Sequence, residues 1–496
     1  MNESGQAGPA SPASGLVAGI GGSRNGTAPA HPVAPTHAPP TDRRFGYWAG
    51  HLVVVGSMIG TGILVTSGYI LHDTGNPLAL LGLWVLGGLL ALCGAVTVAE
   101  LATTLPRSGG DYVFVREAFG RGAGFVSGWA TFTLGFAAPT AVVAVSALSY
   151  LTAPFRDDIP GWLPQLGASL LILVIAAIHT LGHNHSSRLQ VAATVVTAAV
   201  LLGLAAGGVC CGRGDWGHLG VVEWPKFEHW WFLAVGLIYV CYAYTGWNAA
   251  AYLAGEMKDP VRNLPRCLIG GALTVIALYL LVNLAYVYAL DPQVMVAKDP
   301  KNEADEVGNV AKLAAEALFG KDAADVVAAL LGLTLVAGVS AYLLTGPRVA
   351  FAMARDKVFP VFAGRLHPTR GTPARATLIQ AVIAAALVWS ASLLELLNYT
   401  SVGLAALAGL TVASVFPLRR RPGLAHPYRL PLYPLPPLAY LALTVWTVAG
   451  VLADPDARMP ALLSLGTLLL GIPIFLLVRE PAKAAGRSGS PPASGD

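Results

Sequence analysis

Gly56-Ser57-Met58-Ile59-Gly60-Thr61-Gly62-Ile63 lies in the middle of an apolar run that extends from Tyr47 to Leu71. A helix rising about 1.5 Å per residue crosses ~30 Å of hydrocarbon in a run of this length. Three glycines within this stretch nevertheless weaken the helix at a depth where lipid offers its backbone no hydrogen bonds. Two readings stand open here. The glycines let a neighbouring helix approach closely, as small residues do in membranes. Alternatively, they unwind the segment and expose N–H groups at the start of a second half-helix, where free donors and the positive dipole end suit a carboxylate.

The rest of the chain repeats the first run's length. Of 496 residues 55% are hydrophobic and 12% charged, and mean hydropathy is +0.61; a soluble domain carries about 25% charged residues. The apolar runs predict spans at Tyr47–Leu71, Leu78–Leu101, Gly122–Leu151, Leu163–His183, Leu189–Val209, His229–Gly255, Cys267–Leu290, Ala324–Met353, Ala374–Leu394, Leu396–Leu418, Leu435–Leu452 and Pro460–Val478. Strands of a membrane barrel would alternate polar and apolar residues, and these runs do not. The expected protein is all-α, with about twelve transmembrane helices in a domain over 43–480. Its tails, 1–42 and 481–496, are rich in Pro, Gly, Ala and Ser and are expected to be disordered.

Basic residues set the orientation. With both termini cytoplasmic, most of the 31 Lys and Arg fall on the cytoplasmic side, among them Arg107, Arg116, Arg121, Lys258, Arg262, Arg266 and Arg419 to Arg421. The acidic loop from Asp291 to Asp325 then faces outward. A net charge of +4 spread in this way reports topology, and no nucleic-acid partner is expected. The start of the chain carries no charged n-region with a cleavage site, so the first span is expected to be retained. The five cysteines, Cys93, Cys210, Cys211, Cys241 and Cys267, are scattered and form neither a disulfide framework nor a zinc site; no metal or cofactor is expected.

A second interruption falls in the sixth span. Tyr239, Tyr242, Tyr244, Thr245, Gly246, Trp247 and Asn248 place polar and aromatic groups in an apolar segment, with Gly246 able to break the helix. Carbonyls freed there would accept hydrogen bonds from an ammonium. A pair of interrupted spans in corresponding positions of two halves points to a transport site.

With these strings the chain resembles the amino acid, polyamine and organocation transporters, in particular the L-type amino acid transporter branch. The resemblance rests on Gly56 to Ile63, Ala99-Glu100-Leu101 with Pro106-Arg107-Ser108-Gly109-Gly110-Asp111-Tyr112, Tyr244 to Asn248 with Asp259-Pro260-Val261-Arg262-Asn263-Leu264-Pro265-Arg266, and Met353-Ala354-Arg355-Asp356 with Pro360. It implies a LeuT-like core of five-plus-five inverted repeats, about 45–225 and 226–420, with spans one and six broken and helices eleven and twelve added over about 434–478. Spans one, two, six and seven would rock as a bundle against three, four, eight and nine. It also implies that the backbone of Ser57, Met58, Ile59, Gly60, Thr61 and Gly62 holds an amino acid's carboxylate. The carbonyls of Tyr242, Ala243 and Thr245 beside Gly246 would hold its amine, with the Tyr242 ring as a gate. Two departures stand out: the lysine that many relatives carry in span five falls on Thr197, and Thr245 stands where several have glycine.

The cargo follows from charge. The central turns of spans one, three, six, eight and ten hold no Asp, Glu, Lys or Arg to pair a charged side chain, so a small or medium neutral amino acid is expected. A polyamine or cationic amino acid carrier of the same family is the alternative. A membrane-embedded enzyme is a remote one, since the spans hold no nucleophile with its base. His51 and Glu100 are candidates for coupling to a proton, a counter-substrate being the other means of coupling; Glu100 also reads as a simple interfacial carboxylate. Glu256, Lys258, Asp259 and Arg262 are expected to form loop ion pairs. Arg419 to Arg421 are expected to rest on anionic membrane lipid, and His183-Asn184-His185 to be a solvated loop.

Overall fold

The computed structural model describes residues 45–107, 109–181, 186–211, 213–221, 230–298, 307–355, 359 and 373–478. Both expected tails, His183-Asn184-His185, and Asp299, Glu303, Asp305 and Glu306 of the acidic loop lie outside them. All regular structure among the described residues is helical, apart from an isolated bridge between Phe45 and Met257. Ten helices are long and apolar enough to cross a membrane, and two shorter apolar helices, Trp231–Ala243 and Ala374–Ser390, complete the expected twelve spans.

Span one is two helices, Tyr47–Met58 and Thr61–Thr74, separated at Ile59 and Gly60. Gly75, in the left-handed region, ends the second helix, and Asn76 starts span two (Pro77–Thr104) by accepting the Leu78 and Ala79 N–H groups at 2.9 and 3.1 Å. Span three, expected as one helix, contains a π-turn at Thr133–Ala137 just before Pro139. A proline lacks the N–H and crowds the preceding turn, and the wider turn accommodates it. Spans four and five are Leu163–Leu181 and Ser186–Cys211. Span six is the helix Trp231–Ala243 followed, after a turn over 244–248, by a 3₁₀ segment, Ala249–Glu256.

Spans seven and eight are Pro260–Ala289 and Lys321–Arg355. Span nine stops at Ser390, short of the expected Leu394, because Ser392 and Glu395 form a reciprocal cap that begins span ten (Leu393–Ala413). Here the Ser392 N–H donates to the Glu395 carboxylate at 2.8 Å. Leu435–Ala453 and Arg458–Val478 are spans eleven and twelve. Span seven packs mainly on spans two and one, span eight on span three, and span nine on span four. The two groups that the family resemblance separates are therefore each internally packed.

The two breaks meet at the centre. A Cβ on Gly62 would lie 2.2 Å from the Ala243 Cα, and one on Gly246 would lie 2.5 Å from the Ser57 carbonyl oxygen. Gly246 also has φ +104, a conformation that side chains disfavour. Both readings of the glycine-rich stretch are thus realised, in different residues. Gly62 permits close packing, whereas Gly60 sits at the break with nothing within 4 Å of where its side chain would point.

Gly62→Val therefore pushes the two broken spans apart. We expect it to lower the thermal midpoint in detergent by the equivalent of at least ~1–3 kcal/mol of overpacking; an unchanged midpoint would show that the contact yields freely.

Candidate substrate site at the paired helix breaks

Each break leaves backbone groups that hydrocarbon cannot satisfy. At the second half of span one the N-terminal residue is Gly60, with no side chain to cap the N–H groups of the first turn. Among the described residues none accepts the Thr61, Gly62 or Ile63 N–H, and nothing lies within 4 Å of where a Gly60 side chain would point. At the end of the first half, the Met58 carbonyl accepts the Tyr279 hydroxyl of span seven at 2.7 Å. The same hydroxyl lies 3.4 Å from the Ala243 carbonyl, so one tyrosine bridges both breaks. Tyr242 and Thr61 share a second bridge, hydroxyl to hydroxyl, at 2.9 Å. Tyr242 is buried, and in this conformation its ring stands across the breaks.

Every residue assigned from sequence to the carboxylate and amine positions falls in or beside these two breaks, though the carbonyls are not equally free. The Tyr242 carbonyl already accepts the Thr245 N–H at 3.0 Å and the Thr245 hydroxyl at 2.6 Å. Ala243's is shared with Tyr279, and Thr245's accepts no donor among the described residues. A glycine at 245 could not supply that hydroxyl, so the departure seen in the sequence changes hydrogen bonding as well as volume.

Span five contributes differently from expectation. Thr197 turns its hydroxyl back to the Ala193 carbonyl at 2.9 Å, while the place of a Gly56 Cβ would be 3.1 Å from the Thr194 Oγ1. Thr194 is thus the side chain of span five beside the first break, one helical turn from Thr197. Span eight supplies Tyr342, which pairs with Phe136 of the π-turn at 6.2 Å between ring centres. Tyrosines at 150, 279 and 286, which no motif marked, donate to carbonyls of Leu64, Met58 and Ile63. Their only sequence signal is polar tips in otherwise apolar helices.

The coupling candidates lie away from the breaks. His51 sits between Tyr47 and Thr274, 3.4 Å from each hydroxyl, on the face of span one that meets span seven. Glu100 is 1% exposed; Arg419 and His426 lie 3.2 and 3.3 Å from one oxygen, and the other accepts the Leu430 N–H at 2.8 Å. It clamps the segment after span ten, and Arg419 is taken up by this pair. Arg419 also stacks on Tyr433 at 3.8 Å, and Arg421 pairs with Glu117 at 3.2 Å. No ion pair forms among Glu256, Lys258, Asp259 and Arg262. The backbone there pairs with Phe45 instead, through N–H to carbonyl bonds of 3.1 and 2.8 Å. No group of His, Cys, Asp and Glu suited to a metal occurs among the described residues.

Twelve membrane-crossing segments around two facing, unwound helices define a membrane transporter. Residues 45–470 match the family described as "Amino acid permease", and the chain belongs to it. It is 28% identical to human large neutral amino acids transporter small subunit 2 over 86% of this chain and 78% of that one. It is also 28% identical to mouse Asc-type amino acid transporter 1, over 88% and 81%. The serine/threonine exchanger SteT of Bacillus subtilis is 28% identical as well, over 85% and 94%. The protein is therefore a multi-pass amino acid permease, not an enzyme.

One carboxylate ties the site to the loop after span two. Asp111 opens the short helix Asp111–Phe119 and is 4% exposed. It accepts the Asn248 amide at 3.0 Å on both oxygens and the Tyr252 hydroxyl at 2.9 Å, so the loop grips the segment just past the second break. Burial raises its carboxyl above the usual aspartate value, against the opposing pull of those hydrogen bonds. Asp111→Ala is expected to cost about 1–3 kcal/mol for each orphaned donor, read as a lower thermal midpoint. Because the folded value is the raised one, the stability Asp111 contributes is full below its unfolded value and is lost as pH rises through the folded value. A pH series of thermal midpoints should therefore flatten in Asp111→Asn.

Proposed function

We propose that the protein carries small or medium neutral amino acids across the cytoplasmic membrane by alternating access, with both termini in the cytoplasm, and that the cargo binds between the two breaks. The observation that carries this reading is the uncapped start of the Thr61–Thr74 helix beside open space at Gly60, facing carbonyls of the span-six break. An amino acid's carboxylate suits the free N–H groups of the first break. Its ammonium suits the open Thr245 carbonyl, with Ala243's next to it. The residues facing the breaks, Tyr242, Tyr279, Thr194 and Thr61, are neutral, which disfavours a cationic cargo or a polyamine. Two of the relatives are named for large neutral amino acids and for serine and threonine, again uncharged side chains, and the latter is named an exchanger.

Uptake of labelled alanine or serine into proteoliposomes, with competition by other amino acids, tests the reading. Neutral amino acids should compete best; arginine or glutamate as the strongest competitor would overturn it. Gly60→Val fills open space at an extended backbone position, φ −158, and should abolish uptake while the thermal midpoint holds. Thr245→Gly should move preference toward bulkier side chains, by up to about 1–3 kcal/mol.

Of the two coupling candidates, Glu100 is ion-paired with Arg419, and His51 is the one that a pH-gradient measurement addresses. It is a titratable group within span one, and such groups serve proton relays in transporters. If coupling runs through it, His51→Gln makes uptake indifferent to an imposed pH gradient; an unaltered response leaves exchange against a counter-substrate as the mode of coupling.

A further inference from the structure

Span seven begins with two basic residues on one exposed face. Arg262 and Arg266 stand one turn apart, and the face continues with Ile269 and Leu273, the latter 49% exposed. Between this face, Tyr47 of span one and Tyr428 after span ten runs a groove of about 610 Å³. Neither arginine has an acidic partner among the described residues, whereas Arg419 and Arg421 are both paired. Like charges at i and i+4 repel, and an anion between them removes the penalty.

The surroundings select the anion. Below the arginines the exposed face of span seven is apolar apart from Thr274, whose hydroxyl donates to the Gly270 carbonyl, and Leu281, two turns beyond Leu273, is again 42% exposed. A stripe of that kind faces lipid tails. Trp48, 71% exposed beside Tyr47, provides the amphipathic ring that sits at headgroup level. A free phosphate would use the two guanidinium groups and leave the apolar wall bare. A phospholipid uses both.

We propose that this groove binds an anionic phospholipid, its phosphate held between Arg262 and Arg266 and an acyl chain lying along Ile269 and Leu273. Guanidinium groups suit the task because their donors match phosphate oxygens in pairs. The occupied groove abuts the first half of span one, where the Cys267 thiol of span seven donates to the Tyr47 carbonyl at 3.2 Å. The lipid therefore lies against the seam between two helices of the moving bundle.

The test uses the full-length protein in phosphatidylcholine nanodiscs with and without phosphatidylglycerol, reading retained lipid by native mass spectrometry and stability by thermal midpoint. The wild type should retain phosphatidylglycerol over phosphatidylcholine and melt higher with it. The double variant Arg262→Gln/Arg266→Gln should melt like the wild type in phosphatidylcholine alone and lose that preference, by about fivefold per arginine. Equal retention by wild type and variant would overturn the site. So would displacement of the lipid by sn-glycerol 3-phosphate at matched concentration, which would mark a simple anion site.

Discussion

A polypeptide in hydrocarbon cannot leave a backbone N–H or carbonyl without a partner, and that requirement governs this molecule. Ten of its spans meet it by being unbroken apart from one π-turn. Spans one and six do not, and tyrosine hydroxyls meet part of what their breaks leave open. Tyr279 serves Met58 and Ala243 together; Tyr242 and Thr61 join the two segments directly. The first-turn donors beside Gly60 and the Thr245 carbonyl have no partner among the described residues outside their own segments, and these are the groups proposed to hold an amino acid's carboxylate and ammonium.

The end that carries the loop after span two obeys a related rule for charge. Buried carboxylates persist only where they are hydrogen-bonded or paired, and the two here are met differently. Glu100 is neutralised by Arg419 and fixes the segment that follows span ten. Asp111 is met by neutral donors, chiefly Asn248 and Tyr252 beyond the span-six break. The first arrangement holds the end of span two to the segment after span ten; the second holds the loop after span two to the segment beyond the span-six break.

Much of this was legible in the sequence. Span length and hydropathy gave the helices, because a membrane crossing needs an apolar run of set length. The breaks were visible because glycine and polar residues are costly at mid-depth. Side-chain direction was not legible. Thr194 and Thr197 differ by one turn, and only the packing of span five tells which meets Gly56. The basic triplet at Arg419 looked free for the same reason, since its partner Glu100 is more than three hundred residues away in the chain. Gly60 and Gly62 looked equivalent, yet one borders space and the other touches Ala243.

Thr245 has a consequence for the carrier's working cycle. Its hydroxyl and N–H occupy both lone pairs of the Tyr242 carbonyl. An arriving ammonium that used this oxygen would have to evict a resident donor, so the exchange would leave the number of hydrogen bonds nearly unchanged. Such a swap deepens the bound state little and leaves no stranded group when the cargo departs.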